Sequence, residues 1–388
     1  MRVLFISEYD AFNPLLRSGV PYFIQSNIKK LGYEVTCLHV QDKRTLFERI
    51  ISQIKQFYFI RIKGAPGLYY NAAYTRAMAR SYRKSWRKIC FSDYDKILTI
   101  SPQAVAYLPD EVKPIIWIDN SIDTFSMYPG IEKLAPYCIK EALLVEKKAF
   151  QKAGHIFTAS VFLKNFLTNK YPGCKTKINL VPRGANLHKP PEYALVKKAI
   201  ETRLVETKLQ LLFANSCRWE NERKGGSLVI ETYLQLKKII PVTLTILGSI
   251  PSEKIQAFKA MGITCIPTIQ KSDPVGEETY RDLLLKSHFL FMPSIADGFG
   301  IMYAEAAHCG LPSIAKAVMG VTESVKDKTT GYLLDKNAGP TEFKELILKA
   351  WFDKNTYSEL CFSAFEYAGN HFFWHKNLQK ILLHSIAL

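Results

Sequence analysis

Asp297-Gly298-Phe299-Gly300-Ile301-Met302-Tyr303-Ala304-Glu305 sets two carboxylates around seven residues, two of them glycines. An apolar run, Phe289-Leu290-Phe291-Met292-Pro293, precedes it, and a helical pattern ending at Gly310-Leu311-Pro312 follows. The order predicts strand, glycine turn, helix. Such a turn offers backbone N–H groups and the positive end of a helix to an anion. Asp297 would sit at the turn. Glu305 would lie about two helical turns further on, where a carboxylate accepts hydrogen bonds from hydroxyls. Gly-x-Gly turns are common and a helical Glu ordinarily faces water, so this stretch alone leaves a plain turn and a ligand site both open.

A second stretch, Arg218-Trp219-Glu220-Asn221-Glu222-Arg223-Lys224-Gly225-Gly226, repeats the layout. It follows the strand-like run Leu209–Ala214 and precedes a helical pattern through Leu228, Val229, Thr232, Tyr233 and Leu236. Gly225 and Gly226 permit a tight approach of backbone to ligand. Arg218 and Lys224 can neutralise a diphosphate, one as a planar fork and the other as a point charge. A solvated basic loop is the plain alternative, and the repeated layout weighs against it. Anion donors at one end and hydroxyl acceptors at the other suit a sugar-nucleotide.

Together these residues resemble the retaining glycosyltransferases of family 4, the group 1 glycosyl transferases. That family has the pattern Arg, five residues, Lys-Gly, and later an acid, seven residues and a Glu, with Gly-Phe-Gly after the first acid. Arg218 and Lys224, and Asp297 and Glu305, have those spacings. The first acid is commonly Glu in the family and is Asp297 here, one methylene shorter. The resemblance continues through Gly310–Ala315, Gly320–Val325 and Thr330–Leu334. It implies an α/β GT-B fold: two Rossmann-like domains facing an interdomain cleft, with a C-terminal helix crossing back to the first domain. It further implies retention, no metal and no cofactor beyond the nucleoside diphosphate sugar, with UDP or GDP as the nucleotide.

Composition sets the remaining bounds. A chain of 388 residues is long enough for two domains, and 48% hydrophobic with 22% charged residues describes an ordinary globular protein. The eight cysteines form no Cys-x-x-Cys pair, so neither a zinc site nor a disulfide scaffold is indicated. A reducing, cytoplasmic setting fits, with the inner face of the membrane as a peripheral location. The opening Met1–Ser7 is short and strand-like for a signal peptide, and no apolar run reaches the length that spans a bilayer. The net charge of +17 implies an anionic partner: nucleotide diphosphate, membrane surface or nucleic acid.

Short apolar runs alternate with helical patterns, which argues for parallel α/β domains. The strands expected are 3–6, 34–39, 96–99, 114–118 and 156–159 in the first half. In the second half they are 211–214, 242–247, 264–266, 289–292, 313–315 and 331–334. The expected division is residues 1–183 as an acceptor-binding domain, 184–365 as a nucleotide-sugar domain and 366–388 as the returning helix. Residues 184–192, with Pro190 and Pro191, read as the linker; the resembling family has a similar Pro-x-Gly-Ala-Asn stretch where its domains join.

In the first half, Gly19 within Ser18–Phe23 matches a family loop near the donor phosphates, although a simple turn explains it equally. Asp119, after the strand run ending at Ile118, is the best match to a carboxylate or histidine placed against the transferred sugar. A helix cap explains it equally. Asp93-Tyr94-Asp95 precedes a strand instead of ending one, so it reads as a turn, and no metal is expected. His371 and His375 lack a third ligand and read as surface or packing residues.

Residues 55–88 carry nine cations and no acid, interleaved with aromatics. Arg76, Arg80, Arg83 and Arg87 take helical spacing on one face, and Tyr74, Met78, Tyr82 and Trp86 on another. This reads as a basic amphipathic helix for an anionic membrane surface, with a solvated face on a core helix as the alternative. No nucleic-acid motif accompanies it.

The expected function is transfer of a sugar, with retention, from a nucleoside diphosphate sugar to a hydroxyl acceptor, lipid-linked or soluble, in glycan, polysaccharide or glycolipid assembly. As the resemblance implies, Arg218, Lys224, Asp297 and Asp119 are the catalytic candidates. Gly19, Arg218, Lys224, Gly225, Asp297, Gly298, Phe299, Gly300, Ile301, Met302 and Glu305 are the donor-binding ones. The alternatives are a GT-B enzyme acting on the sugar-nucleotide itself, an epimerase or hydrolase, and a non-catalytic basic binding protein.

Overall fold

The computed structural model describes residues 1–58, 62, 76–129, 136–215, 219 and 222–384. Among them, twelve strands form two six-stranded parallel sheets, each in its own compact unit. Unit 1 comprises Met1–Val181 and Trp374–Leu388, and unit 2 comprises Pro182–Phe373.

Unit 1 holds β1 (Arg2–Ser7), β2 (Glu34–His39), β3 (Lys96–Thr99), β4 (Ile115–Ile118), β5 (His155–Thr158) and β6 (Ile178–Leu180), in the order β2-β1-β3-β4-β5-β6. A strand buried on both faces must be apolar along its length, and all four residues of β4 are buried. The chain leaves β1 for β2 on one side and then β3 on the other, so the order reverses between β1 and β3. The final helix, Trp374–His384, packs against the helix Val20–Lys30. Trp374 meets Trp117 of β4 edge to face, with ring centroids 5.4 Å apart. The return to unit 1 thus begins at Trp374 and not at residue 366, because residues 366–371 complete the helix Lys354–His371 of unit 2.

Unit 2 holds β7 (Leu209–Asn215), β8 (Val242–Gly248), β9 (Ile263–Ile266), β10 (Phe289–Phe291), β11 (Ser313–Lys316) and β12 (Gly331–Leu334), in the order β12-β11-β10-β7-β8-β9. Here the order reverses between β7 and β10. The stretch expected as a linker is packed into this unit. Arg183, Ala185, Asn186 and Leu187 are buried, Ala185 N–H donates to Phe372 O at 2.8 Å, and His188 N–H donates to Glu277 Oε1 at 2.6 Å.

Residues 76–88 do not form one surface helix. The helix Arg76–Ser81 gives way to a 3₁₀ turn, Tyr82–Lys84. Ala79, Tyr82 and Trp86 belong to the buried core of unit 1, and Met78 packs against it. The described part of the aromatic stripe, Met78, Tyr82 and Trp86, is thus in or against the core, and Arg76 pairs with Glu141 at 3.4 Å. Residues 59–61, 63–75, 130–135, 216–218, 220–221 and 385–388 lie outside the described residues, and with them Tyr74.

Unit 1 buries one acid beside the end of β4. Glu146 accepts from Ile122 N–H at 2.7 Å and from the Tyr171 hydroxyl at 3.3 Å. Burial pushes its carboxyl up to about 8, although both of these bonds pull the other way. A raised folded-state pKa means that the stability is present below the unfolded value and is lost as pH rises through the folded one. Unit 1 should therefore lose stability between about pH 4.5 and 8. Urea melts of wild type and Glu146→Gln across that range check this: the variant should show a flatter profile, and parallel profiles would refute the assignment.

Candidate functional site

The two glycine loops singled out in the sequence leave the C-terminal ends of β7 and β10, on either side of the point where strand order reverses. In open α/β sheets ligands bind at that edge, at the reversal. The loops are joined at Arg223 and Lys224. Ile295 N–H donates to Arg223 O at 2.9 Å, Arg223 Nη1 donates to Ala296 O at 3.3 Å, and Lys224 Nζ meets Asp297 Oδ2 at 2.5 Å. Arg223 stands 3.6 Å from the same carboxylate oxygen.

Gly225 is held at φ +75°, and a Cβ there would lie 2.6 Å from Pro293 O. A side chain at this position would push the first loop off the second. Gly300, at φ +77°, starts the helix Ile301–His308, and a Cβ on it would strike the Tyr303 ring at 2.4 Å. Beneath the second loop, Gly320 N–H donates to Asp297 O at 3.1 Å, and the Ser324 hydroxyl donates to Phe299 O. Phe299 is itself buried against Phe372. Gly298 carries the carbonyl that Gly320 lies against. The N–H groups of Ile301 and Met302, in the first helical turn, have no partner within the helix.

Burial alone would raise the Asp297 carboxyl. The Lys224 ammonium, and next the Arg223 guanidinium, outweigh burial and hold it below the usual carboxylate range. Glu305 faces a different set of groups. It is 2% exposed, takes Lys271 Nζ at 2.5 Å on one oxygen and accepts from the Tyr280 hydroxyl on the other. Burial, then the adjacent Glu305 charge, drives the Tyr280 phenol well above its ordinary value. Lys271 also lies 4.6 Å over the Tyr280 ring.

Lys224, Gly225 and the stretch Asp297–Met302 are thus assembled at one sheet edge, with Glu305 in the helix that the second loop starts. Arg218 lies outside the described residues. Gly19 and Asp119 belong to unit 1. Gly19 closes a run of three left-handed residues, Arg17, Ser18 and Gly19, before the helix Val20–Lys30, and Asp119 directly follows β4. Three residues of the site were missed by motif spacing. Arg223 falls one residue from the matched lysine. Lys271 and Tyr280 are 34 and 25 residues from Glu305, in a loop and a helix with no pattern tying them to it. Among the described residues, no group of three or more His, Cys, Asp or Glu side chains could hold a metal ion.

Two doubly wound parallel sheets, one with a lysine–acid pair at its reversal point, define a protein built of Rossmann-like α/β units. Residues 208–353 match the family described as Glycosyl transferases group 1. D-inositol 3-phosphate glycosyltransferase of Kribbella flavida is 22% identical over 254 residues, 62% of this chain and 58% of that protein. The same enzyme of Streptomyces scabiei is 38% identical over 61 residues, 16% of this chain and 14% of that protein. The chain thus spans less than two thirds of the length of either relative. Sucrose-phosphate synthase of Thermosynechococcus elongatus superposes with a TM-score of 0.68 at 16% identity, covering 100% of this chain and 98% of that one. Anabaena HepE in complex with UDP-glucose superposes with a TM-score of 0.65 at 14% identity, over 100% of both chains. Unit 2 carries a group 1 glycosyl transferase domain, and the chain has the GT-B fold.

Removing one partner of a buried ion pair leaves the other charge uncompensated, at a cost of about 3–5 kcal/mol. Asp297→Asn should lower the stability of unit 2 by an amount approaching that and Lys224→Met by less, because Arg223 remains 3.6 Å from the acid, and the double variant should recover part of the loss. A double-mutant cycle from denaturant melts measures the coupling. Additive losses would mean that the contact carries no stabilisation.

Proposed function

We propose that this chain transfers a sugar from a nucleoside diphosphate sugar to a hydroxyl acceptor, with retention and without a metal. The observation that carries the reading is the Lys224–Asp297 pair at the β7/β10 reversal, with Glu305 buried in the helix that follows. The group 1 domain match over residues 208–353 and the likeness in fold to HepE bound to UDP-glucose support a nucleotide-sugar donor.

The chemistry follows from the charges. As the bond from the anomeric carbon to the phosphate oxygen breaks, negative charge gathers on the leaving diphosphate. Lys224 and Arg218 neutralise it, assisted by the N–H groups of Gly300, Ile301 and Met302. Glu305 accepts from the ribose hydroxyls, exchanging the bonds it makes to Lys271 and Tyr280. Asp297 holds hydroxyls of the transferred sugar while keeping Lys224 in place. The acceptor oxygen then bonds to the anomeric carbon from the face the diphosphate left, and the departing phosphate takes the acceptor proton. This route uses no covalent sugar–enzyme intermediate. Asp119 is the carboxylate that a double displacement would call on. The D-inositol 3-phosphate glycosyltransferases among the relatives support a polyol hydroxyl as the acceptor.

A panel of UDP- and GDP-sugars tests this by thermal shift and by product analysis. A donor bound to the native state at about a hundredfold over its Kd stabilises by about 2.7 kcal/mol and raises Tm. Lys224→Ala and Arg218→Ala should each reduce turnover by about two to three orders of magnitude. Glu305→Gln should weaken free nucleoside diphosphate and donor alike. Hydrolysis or epimerisation that needs no acceptor would replace transfer with action on the donor itself. The absence of any nucleotide-induced shift would overturn the reading.

A further inference from the structure

The helix Leu46–Phe57 of unit 1 is amphipathic and mounted in reverse. Ser52 is the polar residue turned onto the protein, with Glu48 and Lys55 half-buried to either side of it, while Arg49 and Gln53 stay exposed. Ser52 is buried, and its hydroxyl takes Arg44 Nη1 at 2.9 Å, while Arg44 also pairs with Asp42 at 2.8 Å. Its start is fixed by a reciprocal cap, with Thr45 N–H donating to Glu48 Oε2 at 2.7 Å and Glu48 N–H donating to Thr45 Oγ1 at 3.2 Å. The opposite side is apolar and faces outward. Leu46, Phe47, Ile50, Ile54 and Phe57 are between 43% and 76% exposed, and Tyr58, which follows, is 40% exposed. Their spacing puts them on one arc of the helix. A contiguous apolar stripe of this kind marks an interaction surface.

The surroundings specify the partner by charge. Residues 43–58 and 76–88 together contain ten Lys or Arg and a single acid, Glu48. Lys84 Nζ donates to Lys43 O at 2.7 Å and Lys43 N–H donates to Ser81 Oγ at 3.2 Å, so the basic segment Arg76–Lys84 lies beside the start of this helix. Arg49, Arg80, Arg83, Lys84 and Arg87 are exposed. A second copy of the chain would bring the same positive rim against this one, which opposes self-association. A narrow apolar helical face bordered by cations matches the interface of an anionic bilayer, where side chains enter the acyl boundary and cations meet the headgroups.

We propose that the Leu46–Tyr58 face seats this protein on anionic lipid membranes, with its apolar side chains inserted and the neighbouring cations on the headgroups. The surface belongs to unit 1 and uses none of the donor residues of unit 2, so its test stands apart from the transferase reading. Among the described residues no helix is long and apolar enough to cross a membrane, and attachment through this face requires none.

Cosedimentation of the full chain with phosphatidylcholine vesicles, with and without phosphatidylglycerol, decides the matter. The wild type should pellet with the anionic vesicles, less so as salt rises. A variant combining Phe47→Ser, Ile54→Asn and Phe57→Ser should lose about a hundredfold in partitioning at every salt concentration, with Tm and nucleotide binding unchanged. Arg80→Gln, Arg83→Gln and Arg87→Gln together should weaken binding chiefly at low salt. As an independent readout, Phe57→Trp emission should shift to the blue on anionic vesicles relative to wild type. The proposal fails if the wild type ignores anionic vesicles, or if the apolar variant binds them as well as wild type does. It fails equally if that variant melts lower, because the stripe is then covered by the chain itself, or if it converts a wild-type dimer to a monomer.

Discussion

A single buried contact, Lys224 Nζ against Asp297 Oδ2, fixes how the two loops of unit 2 meet. One loop comes from β7 and the other from β10, strands 74 positions apart in the chain but adjacent in the sheet, from Asn215 to Phe289. Each charge would be costly to bury alone, so each holds the other in place. The rest of the edge follows from that approach. Gly225 lies against Pro293 because the loops must come this close for lysine to reach the acid, and Gly300 turns the second loop into its helix immediately afterwards. Arg223 gives the acid a second cation, so the cluster carries a net positive charge before any ligand arrives. That surplus is what an entering diphosphate would neutralise.

Unit 1 has the same topological reversal, between β1 and β3, but opposite electrostatics. Glu8 follows β1 and takes the Tyr82 hydroxyl at 2.5 Å and the Gln103 amide, where unit 2 has ammonium and guanidinium groups. Burial raises the Glu8 carboxyl, and its hydrogen bonds to Tyr82 and Gln103, together with the more distant Arg17 charge, do not overcome that. The two sheets are thus alike in winding while their edges differ in chemistry. The edge in unit 2 gathers two cations around one acid. The one in unit 1 holds a carboxyl that accepts from a phenol and an amide. The fold fixes where a site can lie, and the side chains at each edge decide which ligand it can take.

Much of this was legible in the sequence because parallel strands buried on both faces are continuous apolar runs. Every observed strand overlaps an expected one except β6. Its three residues, Ile178–Leu180, lie between Lys177 and Val181-Pro182, too short a run to stand apart from the lysines before it and the proline after it. The pairing of Lys224 with Asp297 could be anticipated only as membership in one site, since spacing within each loop says nothing of distance between loops. Lys271 and Tyr280 were not legible at all. A buried carboxylate must find donors wherever the fold supplies them, and Glu305 finds them in elements with no local signature. The stretch 184–192 has the composition of a linker, yet Ala185 is tied to Phe372 by a backbone bond that local sequence cannot announce.

The two stripes of the basic region show where periodicity stops being informative. Met78, Tyr82 and Trp86 have helical spacing and interfacial side chains, and they lie in or against the core although the helix ends at Ser81. Leu46, Ile50, Ile54 and Phe57 have the same kind of spacing and face outward. Hydrophobic period identifies a face that must be removed from water, but it is silent on what removes it. The deciding residues are the small or polar neighbours of each stripe. Arg44 anchors the polar side of the second helix through Ser52 and Asp42, which turns its apolar side away from the unit. In the first, Ala79 and Ser81 are small enough to be buried beside the aromatics, which draws that stripe inward. Orientation is therefore set by the residues that anchor an amphipathic element, and the cations nearby then determine which kind of surface its outward face can meet.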